Sequence, residues 1–449
     1  MKKKVSVIGL GNRGTEYMGF LKSFHSSKVQ IHALCDIRQQ ALDDFAPQYS
    51  IPKERQFLST EEFFSQGVIS DALIISTQDA SHYEITKQAI LTGYKLILLE
   101  KPVSGVKEEY VELRDLAREN NALIIVCHVL RYSNYYSKIK EIISSGQIGD
   151  IVTINHTENV GYFHFAHSYV RGNWRDEFTS TPSLLAKCCH DTDLMCWLNS
   201  HTGPINVSSF GSRNLYTPEN APKDSTEYCY NCPRKDECLF NAYDFELKKD
   251  FCPQYTWLEM GKSIPEITEE EKREYLKTNV FGKCVYKTDM DIVDRQCVSV
   301  EFKNGSIATL NMIGGTTIAG RNIHIVGDRG ELVGAVEENK FTLYKYFNCE
   351  KEHHLREQKV VYDLDKLFSL EGDGQSMEGH YGGDYFIMKD LLALLRGDNS
   401  SLSTTDINDS IKGHLICYAA EIARKENIIP RVFIFRLCLF LCFALQCIV

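Results

Sequence analysis

The chain predicts an α/β fold, in which an N-terminal Rossmann domain with a doubly wound parallel sheet precedes a C-terminal α+β domain with an open antiparallel sheet. Strand and helix patterns alternate over residues 4–127, the first strand runs into Gly9-x-Gly11-x-x-Gly14, and from Ile151 apolar and polar residues alternate. A length of 449 residues favours two domains. We place them at 1–127 and 128–430, with a Cys-containing insert at about 217–286 and an anomalous apolar tail at 431–449.

The first domain reads as a βαβ succession. Leu96–Leu99 is continuously apolar, as expected of a parallel strand covered on both faces. In such sheets ligands bind at the carboxyl edge of the strands. The predicted strands are Val5–Ile8, Ile31–Cys35, Ala72–Ser76, Leu96–Leu99 and Leu123–Cys127, and the predicted helices are Thr15–Phe24, Gln39–Phe45, His82–Leu91 and Glu108–Glu119.

The second domain begins with a predicted helix, Tyr135–Ile143, and a half-exposed strand, Ile151–Thr157. Turn signals such as Lys303-Asn304-Gly305 separate the later strands. These strands are Val298–Phe302, Ile307–Met312, Asn322–Val326, Phe341–Tyr346 and Lys359–Tyr362.

Composition excludes some classes of partner. The net charge is -10, with no basic run beyond Lys2-Lys3-Lys4, so neither nucleic acid nor a membrane is an expected partner. The apolar run after these lysines is short and broken by glycines, unlike a secretory signal, and the 16 cysteines are dispersed. We therefore expect a cytoplasmic protein with reduced thiols.

The last segment, Val432–Val449, carries Arg436 as its only charge. Its uninterrupted apolar part is shorter than the roughly 20 residues that span a bilayer. A sequence artefact such as a frame shift near Pro430 is the first interpretation, ahead of a buried or interface-packing tail and of a membrane anchor.

The glycine motif predicts a dinucleotide site. Gly9 permits a tight turn, Gly11 lets the backbone approach a pyrophosphate, and Gly14 allows close helix packing. Asp36 ends the second strand, where a carboxylate accepts hydrogen bonds from a ribose, which favours NAD. Arg38 lies close by and keeps NADP possible, and an ordinary glycine turn is the alternative.

Two other strand ends carry polar groups. Thr77 and Gln78 would line the same crevice, and His82 is either a site residue or a simple helix start. Glu100 and Lys101 follow the strand at Leu96–Leu99, and a lysine there can act as acid or base, although a solvated surface lysine is the alternative.

Further candidates come from the second domain. His190 would lie near the start of an apolar helix, with Asp193 one turn later to orient the imidazole; a capped helix with a surface histidine is the alternative. Trp174, Arg175 and His380 are candidates for the substrate face, and they could equally be turns with capping residues.

Four cysteines in the insert, Cys229-x2-Cys232-x5-Cys238-x13-Cys252, form a candidate structural zinc site because zinc prefers four thiolates in a tetrahedron. The second half is poorly spaced for a zinc ribbon. Unligated thiols and an iron–sulfur cluster stay open as alternatives.

A family resemblance rests on several motifs together: Gly9-Leu-Gly11-Asn12-Arg13-Gly14, Asp36, Thr77 with His82, Glu100-Lys101-Pro102, Arg131-Tyr132, Gly146-Gln-Ile-Gly149 and His190-Asp-Thr-Asp193. The pattern resembles the Gfo/Idh/MocA family, the group of glucose–fructose oxidoreductase and inositol dehydrogenase. The resemblance runs to about Ala423.

The resemblance implies hydride exchange between NAD (NADP possible) and a hydroxyl carbon of a sugar or cyclitol, in a homodimer or homotetramer. It makes Lys101 and His190 the catalytic pair and places Glu100 near the nicotinamide ribose. The cofactor set then also includes Asn12, Arg13 and Arg131, and the substrate set includes Tyr132, Lys187 and Asp193.

One position departs from the family pattern. Many of its dehydrogenases carry Asp four residues before the histidine, where this chain has Ala186, unless Lys187 or Asp193 substitutes. Two alternatives therefore stay open: an NAD-dependent glycosidase acting through a transient keto-sugar, and a non-catalytic NAD-linked binding protein.

Overall fold

The computed structural model describes residues 2–25, 28–250, 252–345, 358–369 and 380–432. Most of the apolar tail predicted at 431–449 lies outside these residues. No described helix is both long and apolar enough to cross a membrane.

The first domain is a parallel sheet of six strands within the described chain, in the order β3-β2-β1-β4-β5-β6. Strand order reverses between β1 and β4, and that switch point opens a crevice at the carboxyl edge. Its elements are β1 (Lys3–Ile8), α1 (Asn12–His25), β2 (Val29–Cys35), α2 (Gln39–Phe45), β3 (Gln56–Phe57), α3 (Thr60–Ser65), β4 (Ala72–Ile75), α4 (His82–Thr92), β5 (Leu96–Leu99), α5 (Lys107–Glu119) and β6 (Leu123–Val126).

The second domain is built on an eight-stranded sheet, counted over the described residues, in the order β14-β13-β12-β11-β7-β10-β9-β8. All neighbours are antiparallel except β7 and β10, which pair in parallel. Its elements are α6 (Asn134–Ser144), β7 (Ile151–Gly161), α7 (Tyr162–His164), α8 (Ser183–Leu198), β8 (Pro204–Ser212), α9 (Pro253–Thr256), α10 (Glu269–Tyr275), β9 (Arg295–Phe302), β10 (Ile307–Thr316), β11 (Gly320–Gly327), β12 (Gly330–Ala335), β13 (Lys340–Lys345), β14 (Gln358–Asp363), α11 (Leu364–Ser369), α12 (Gly383–Arg396) and α13 (Ile407–Glu426).

The parallel pair differs from the expected all-antiparallel sheet. The chain leaves β7, forms α8, β8, the insert and β9, and only then enters β10 beside β7. A crossover of that length can place two strands in parallel, whereas a hairpin cannot.

The start of α8 was wrongly predicted near His190, because the helix begins at Ser183 and His190 lies in its middle. Nearly all residues of this helix are buried. A helix that is covered on every side has no amphipathic period to mark where it begins.

The last two helices cross the domain boundary. Ile387, Met388 and Leu391 of α12 share a core with Tyr17 and Met18 of α1. Helix α13 contributes to the cores of both domains. Side chains near the carboxyl end of the described chain therefore reach the edge of the first sheet.

Candidate active site

The glycine turn after β1 leaves one open position between two packed ones. A Cβ on Gly9 would lie 2.6 Å from the Ser76 carbonyl oxygen, and one on Gly14 would lie 2.1 Å from the Gly9 carbonyl oxygen. A Cβ on Gly11 would meet no atom within 4 Å. The open position at the N-terminus of α1 fits a pyrophosphate held by backbone N–H groups.

Asp36 stands at the end of β2 beside this turn. Its carboxylate accepts hydrogen bonds from the Leu10 backbone N–H (2.7 Å) and from the Arg38 guanidinium (2.9 and 3.0 Å). Arg38 is thus held by the same carboxylate that would receive an adenosine ribose.

Arg13 ties the first domain to α12. Its Nε lies 2.9 Å from Glu100 Oε1, and its Nη2 bonds to Asp384. Burial acts to raise the pKa of Asp384, but His380 and Arg13 outweigh burial and lower the pKa below its usual range. The sequence prediction that Arg13 serves the cofactor missed this bridge, since Asp384 is hundreds of positions away.

Glu100 and Lys101 form the edge of β5. The Glu100 carboxylate accepts from Arg13, from the Tyr17 hydroxyl and from the Lys101 backbone N–H. The Lys101 ammonium donates to the Ala186 carbonyl oxygen at 2.9 Å. A backbone carbonyl of α8 therefore contacts this lysine at the position where the family pattern has a carboxylate.

His190 reaches the same region from α8. Burial, followed by the charge of Lys101, lowers the pKa of His190 well below its usual value, and Nδ1 has no hydrogen-bond partner among the described groups. Its ring centroid lies 5.9 Å from that of His380 and 5.6 Å from that of His128. The imidazole is therefore unprotonated near pH 7.

A cluster of charged side chains surrounds the part of α8 next to His190. Lys187 Nζ is 3.3 Å from Glu158 Oε1, and Arg321 Nε is 2.8 Å from both Glu158 Oε2 and Asp191 Oδ1. His156 Nε2 lies 2.7 Å from Asp191. Sequence reasoning missed Glu158 and Arg321 because they belong to alternating strands in which such residues read as solvent-facing.

Three predicted site residues are buried and paired with one another or with other side chains of the fold. The Arg131 guanidinium is buried against Asp193 (2.6 Å from Nε) and Asp409 (2.8 Å from Nη1). Asp193 therefore pairs with Arg131 and does not orient His190. Tyr132 is buried and donates to Asp390 at 3.0 Å. These pairings stabilise the fold, and the predicted cofactor role of Arg131 and substrate role of Tyr132 stay predictions.

His82 also bonds within the fold. It is fully buried, and its ring nitrogens lie 2.7 Å from the Pro102 carbonyl oxygen and 3.0 Å from the Thr77 carbonyl oxygen. It therefore joins the ends of β4 and β5. Thr77 is half-buried and Gln78 is exposed at the same edge, as is required of groups that line a crevice.

The insert and the segment before α8 form a wall over this edge. Trp174 Nε1 donates to Asp79 of the first domain at 3.0 Å, and its ring packs 5.6 Å from that of Tyr255. Arg175 instead bonds to Asp289 at 2.9 Å within the second domain. Trp174 thus lies between the domains, whereas Arg175 is held away from the sheet edge.

The cysteine prediction needs one correction. Cys229, Cys232 and Cys238 line a common opening, but Cys252 does not line it. Burial and the carboxylates of Glu246 and Asp250 raise the pKa of Cys252 to about 11. Across the described residues, no group of three or more His, Cys, Asp or Glu side chains already stands in a metal-binding arrangement.

Comparison with known proteins bears on the family. The NAD-binding Rossmann model of the GFO/IDH/MocA oxidoreductases matches residues 3–128, and the C-terminal α/β model of the same family matches residues 140–361. The provisionally named oxidoreductase YteT of Bacillus subtilis is 22% identical over 328 residues, 72% of each chain. The scyllo-inositol 2-dehydrogenase (NADP(+)) IolW of Bacillus subtilis is 29% identical over 191 residues. The matched part is 42% of this chain and 50% of IolW.

Solved structures show the same fold. A levoglucosan dehydrogenase in complex with NADH and levoglucosan has 15% identity and a TM-score of 0.66, over 96% of this chain and 100% of the other. The WlbA dehydrogenase of Bordetella pertussis, with NADH and UDP-GlcNAcA, has 15% identity and a TM-score of 0.65, over 96% and 98%. With the glycine turn, the Glu100-Lys101 edge and both family models in agreement, the chain belongs to the GFO/IDH/MocA family of NAD(P)-dependent oxidoreductases.

Proposed function

We propose that the chain transfers hydride between a nicotinamide cofactor and a hydroxyl-bearing carbon of a sugar or cyclitol. The observation that carries the proposal is that Lys101 and His190 meet at the edge of the sheet where the glycine turn opens: Lys101 donates to Ala186 of α8, the helix that also carries His190, and its charge acts on the His190 imidazole. A base and a cation at one carbon are what alcohol oxidation requires.

The proton has a defined route. Lys101 carries three N–H donors and uses one on the Ala186 carbonyl, so another can hold the substrate oxygen. The His190 imidazole accepts the hydroxyl proton, and in the reverse direction it returns that proton to the carbonyl oxygen. A bound nicotinamide supplies the hydride acceptor or donor at its C4 carbon.

Three features support a sugar or cyclitol as substrate. Lys101, Lys187 and His380 surround the site with donors suited to several hydroxyl groups, and Trp174 offers an apolar ring face. The named inositol and levoglucosan dehydrogenases among similar proteins agree with this class. Of the two cofactors, NAD is the better fit because Asp36 already neutralises Arg38.

The test is a Lys101→Met variant, with Lys87→Met as the control. Lys87 pairs with Glu112 on the surface and touches nothing in the site. On a panel of inositols and sugars, Lys101→Met should lower turnover by about 10²–10⁴-fold, with NAD affinity changed less than about tenfold, because the lysine acts on the reacting oxygen. Unchanged turnover in Lys101→Met would refute the proposal.

A second candidate is a glycosidase that oxidises the sugar transiently, eliminates the aglycone and reduces the sugar again. The observation that favours it is the neutral Ala186 carbonyl beside Lys101, where the family pattern has a carboxylate. Release of nitrophenol from nitrophenyl glycosides with no net NADH would support it. Stoichiometric NADH formation from free sugars would exclude it.

We also infer self-association through the outer face of the eight-stranded sheet. Phe210 is 71% exposed, and Val361 and Val333 on the same face are 56% and 39% exposed. Exposed apolar side chains at both ends of this face, with Asn311 and Asn322 between them, offer contacts to a second copy of the chain. Light scattering should give a dimer or tetramer mass, and a monomer at micromolar concentration would contradict the inference.

A further inference from the structure

The opening in the insert is lined by four cysteines, because Cys284 stands where Cys252 was expected. Cys229, Cys232, Cys238 and Cys284 surround a cavity of about 20 Å³. A cavity of roughly 10–15 Å³ is already large enough for one water molecule. The space is therefore large enough for a single ion.

The backbone brings Cys284 to the other three. Tyr228 pairs with Lys283 in an antiparallel bridge, and the Cys284 N–H donates to the Glu227 carbonyl oxygen at 2.8 Å. Two successive tight turns then carry the chain from Cys229 to Cys238. A residue far along the chain is thus built into the site by main-chain hydrogen bonds.

A buried cation faces the same opening. Arg171 is 0% exposed, donates to the Phe240 carbonyl oxygen at 2.7 Å and lies 3.7 Å from the Cys229 sulfur. Within the described part of the chain no ion pair joins Arg171 to a carboxylate, and its Nη1 has no hydrogen-bond partner. A buried guanidinium requires compensating negative charge, and the sulfurs that line this opening are the neighbouring groups able to supply it when they bind a metal as thiolates.

We propose that Cys229, Cys232, Cys238 and Cys284 bind one Zn²⁺ as a structural tetrathiolate site. Side-chain rotation closes the four sulfurs on the ion, and four thiol protons pass to solvent. The resulting net charge of -2 is compensated by Arg171 and by Lys235 at the rim of the opening. The four sulfurs fill a tetrahedron, so the ion has no open position for catalysis.

The site has a role for the rest of the molecule. Its thiols join the loop at Cys229–Cys238 to the segment that leads into β9, and the chain between them includes Tyr255, which packs on Trp174. Zinc would fix the position of the insert, which covers the carboxyl edge of the first sheet. This role does not depend on the proposed reaction, so a failure of either can be told from a failure of the other.

The decisive experiment compares Cys284→Ser with Cys252→Ser in the full chain expressed with zinc. Elemental analysis should find about one zinc per chain in the parent and in Cys252→Ser, and less than about a tenth of that in Cys284→Ser. Retention of zinc by Cys284→Ser together with its loss from Cys252→Ser would overturn the proposal. So would a metal-free parent purified under reducing conditions, or iron with inorganic sulfide in place of zinc.

Thiol alkylation of the parent protein provides a test that needs no variant. In the native protein the four cysteines should resist maleimide until a chelator is added, whereas Cys297, which is exposed, should react at once. Cobalt substitution should give the visible absorption of a tetrahedral thiolate site. Disulfides among the four, or equal labelling with and without chelator, would refute zinc binding.

Discussion

Asp384 is expected to be the strongest electrostatic link between the C-terminal helices and the dinucleotide edge. Its carboxylate is fully buried, bonds to the Arg13 guanidinium and lies 2.8 Å from His380 Nδ1. Breaking a buried ion pair from one side costs about 3–5 kcal/mol. Arg13 is 22% exposed and keeps its ion pair with Glu100 in the variant. We therefore expect Asp384→Asn to lower the free energy of unfolding by about 2–3 kcal/mol.

The matched control is Asp390→Asn on the same helix. Asp390 is also buried, but it accepts from the neutral hydroxyl groups of Tyr132 and Thr404. An amide keeps part of that bonding, so the cost should stay below about 1 kcal/mol. In thermal melts of this 449-residue chain, Asp384→Asn should lower Tm by about 2–3 °C, and Asp390→Asn by less than about 1 °C.

The pH dependence gives the refuting result. The folded-state pKa of Asp384 is lowered, so its contribution is present above the unfolded-state pKa of about 3.9 and is lost as pH falls through the folded value. The Tm difference between parent and Asp384→Asn should therefore be full at pH 7 and shrink below about pH 4. An equal difference at pH 7 and pH 3, or equal losses in both variants, would refute the reasoning.

Three further predictions concern the site. Gly14→Ala should lower the free energy of unfolding by at least about 1–3 kcal/mol, because the added Cβ would meet backbone atoms. Gly11→Ala should change Tm by less than about 2 °C but weaken NAD binding, because its Cβ would lie in open space. Equal Tm losses in the two variants would contradict this explanation. Turnover should stay flat from pH 8 down to 6.5 and fall only at lower pH, because the lowered pKa keeps His190 unprotonated; a decline already between pH 8 and 7 would count against His190 as the base. Tyr132→Phe should cost about 1 kcal/mol through the lost bond to Asp390 without changing KM, and a large rise in KM would restore Tyr132 to the substrate site.

Residues whose position depends on local chain geometry lie where the sequence predicted them. The glycine turn at Gly9–Gly14, Asp36 at the end of β2 and Lys101 at the end of β5 occupy the expected edge. A strand that ends in a tight turn and a helix is specified by residues that are neighbours in sequence. The second sheet was also predicted, except for β8 and β12, whose serine- and glycine-containing segments have weak strand patterns. In the first sheet the two-residue strand β3 was not predicted.

Partnership between distant residues was decided only by the tertiary structure. The same Asp193 that could orient His190 by spacing pairs instead with Arg131, and Arg13 meets Asp384. Cys284 takes the place that spacing assigned to Cys252 because a backbone bridge, not sequence distance, brings it to the other thiols.

The sequence by itself thus determined the fold class, the glycine turn at Gly9–Gly14 and the position of Lys101 at the end of β5. These features follow from periodicity and from turns within a few residues. Only the packed structure decided which charges compensate one another. A buried charge must find its partner within a few ångströms in space, and many pairings satisfy that need equally well along the chain.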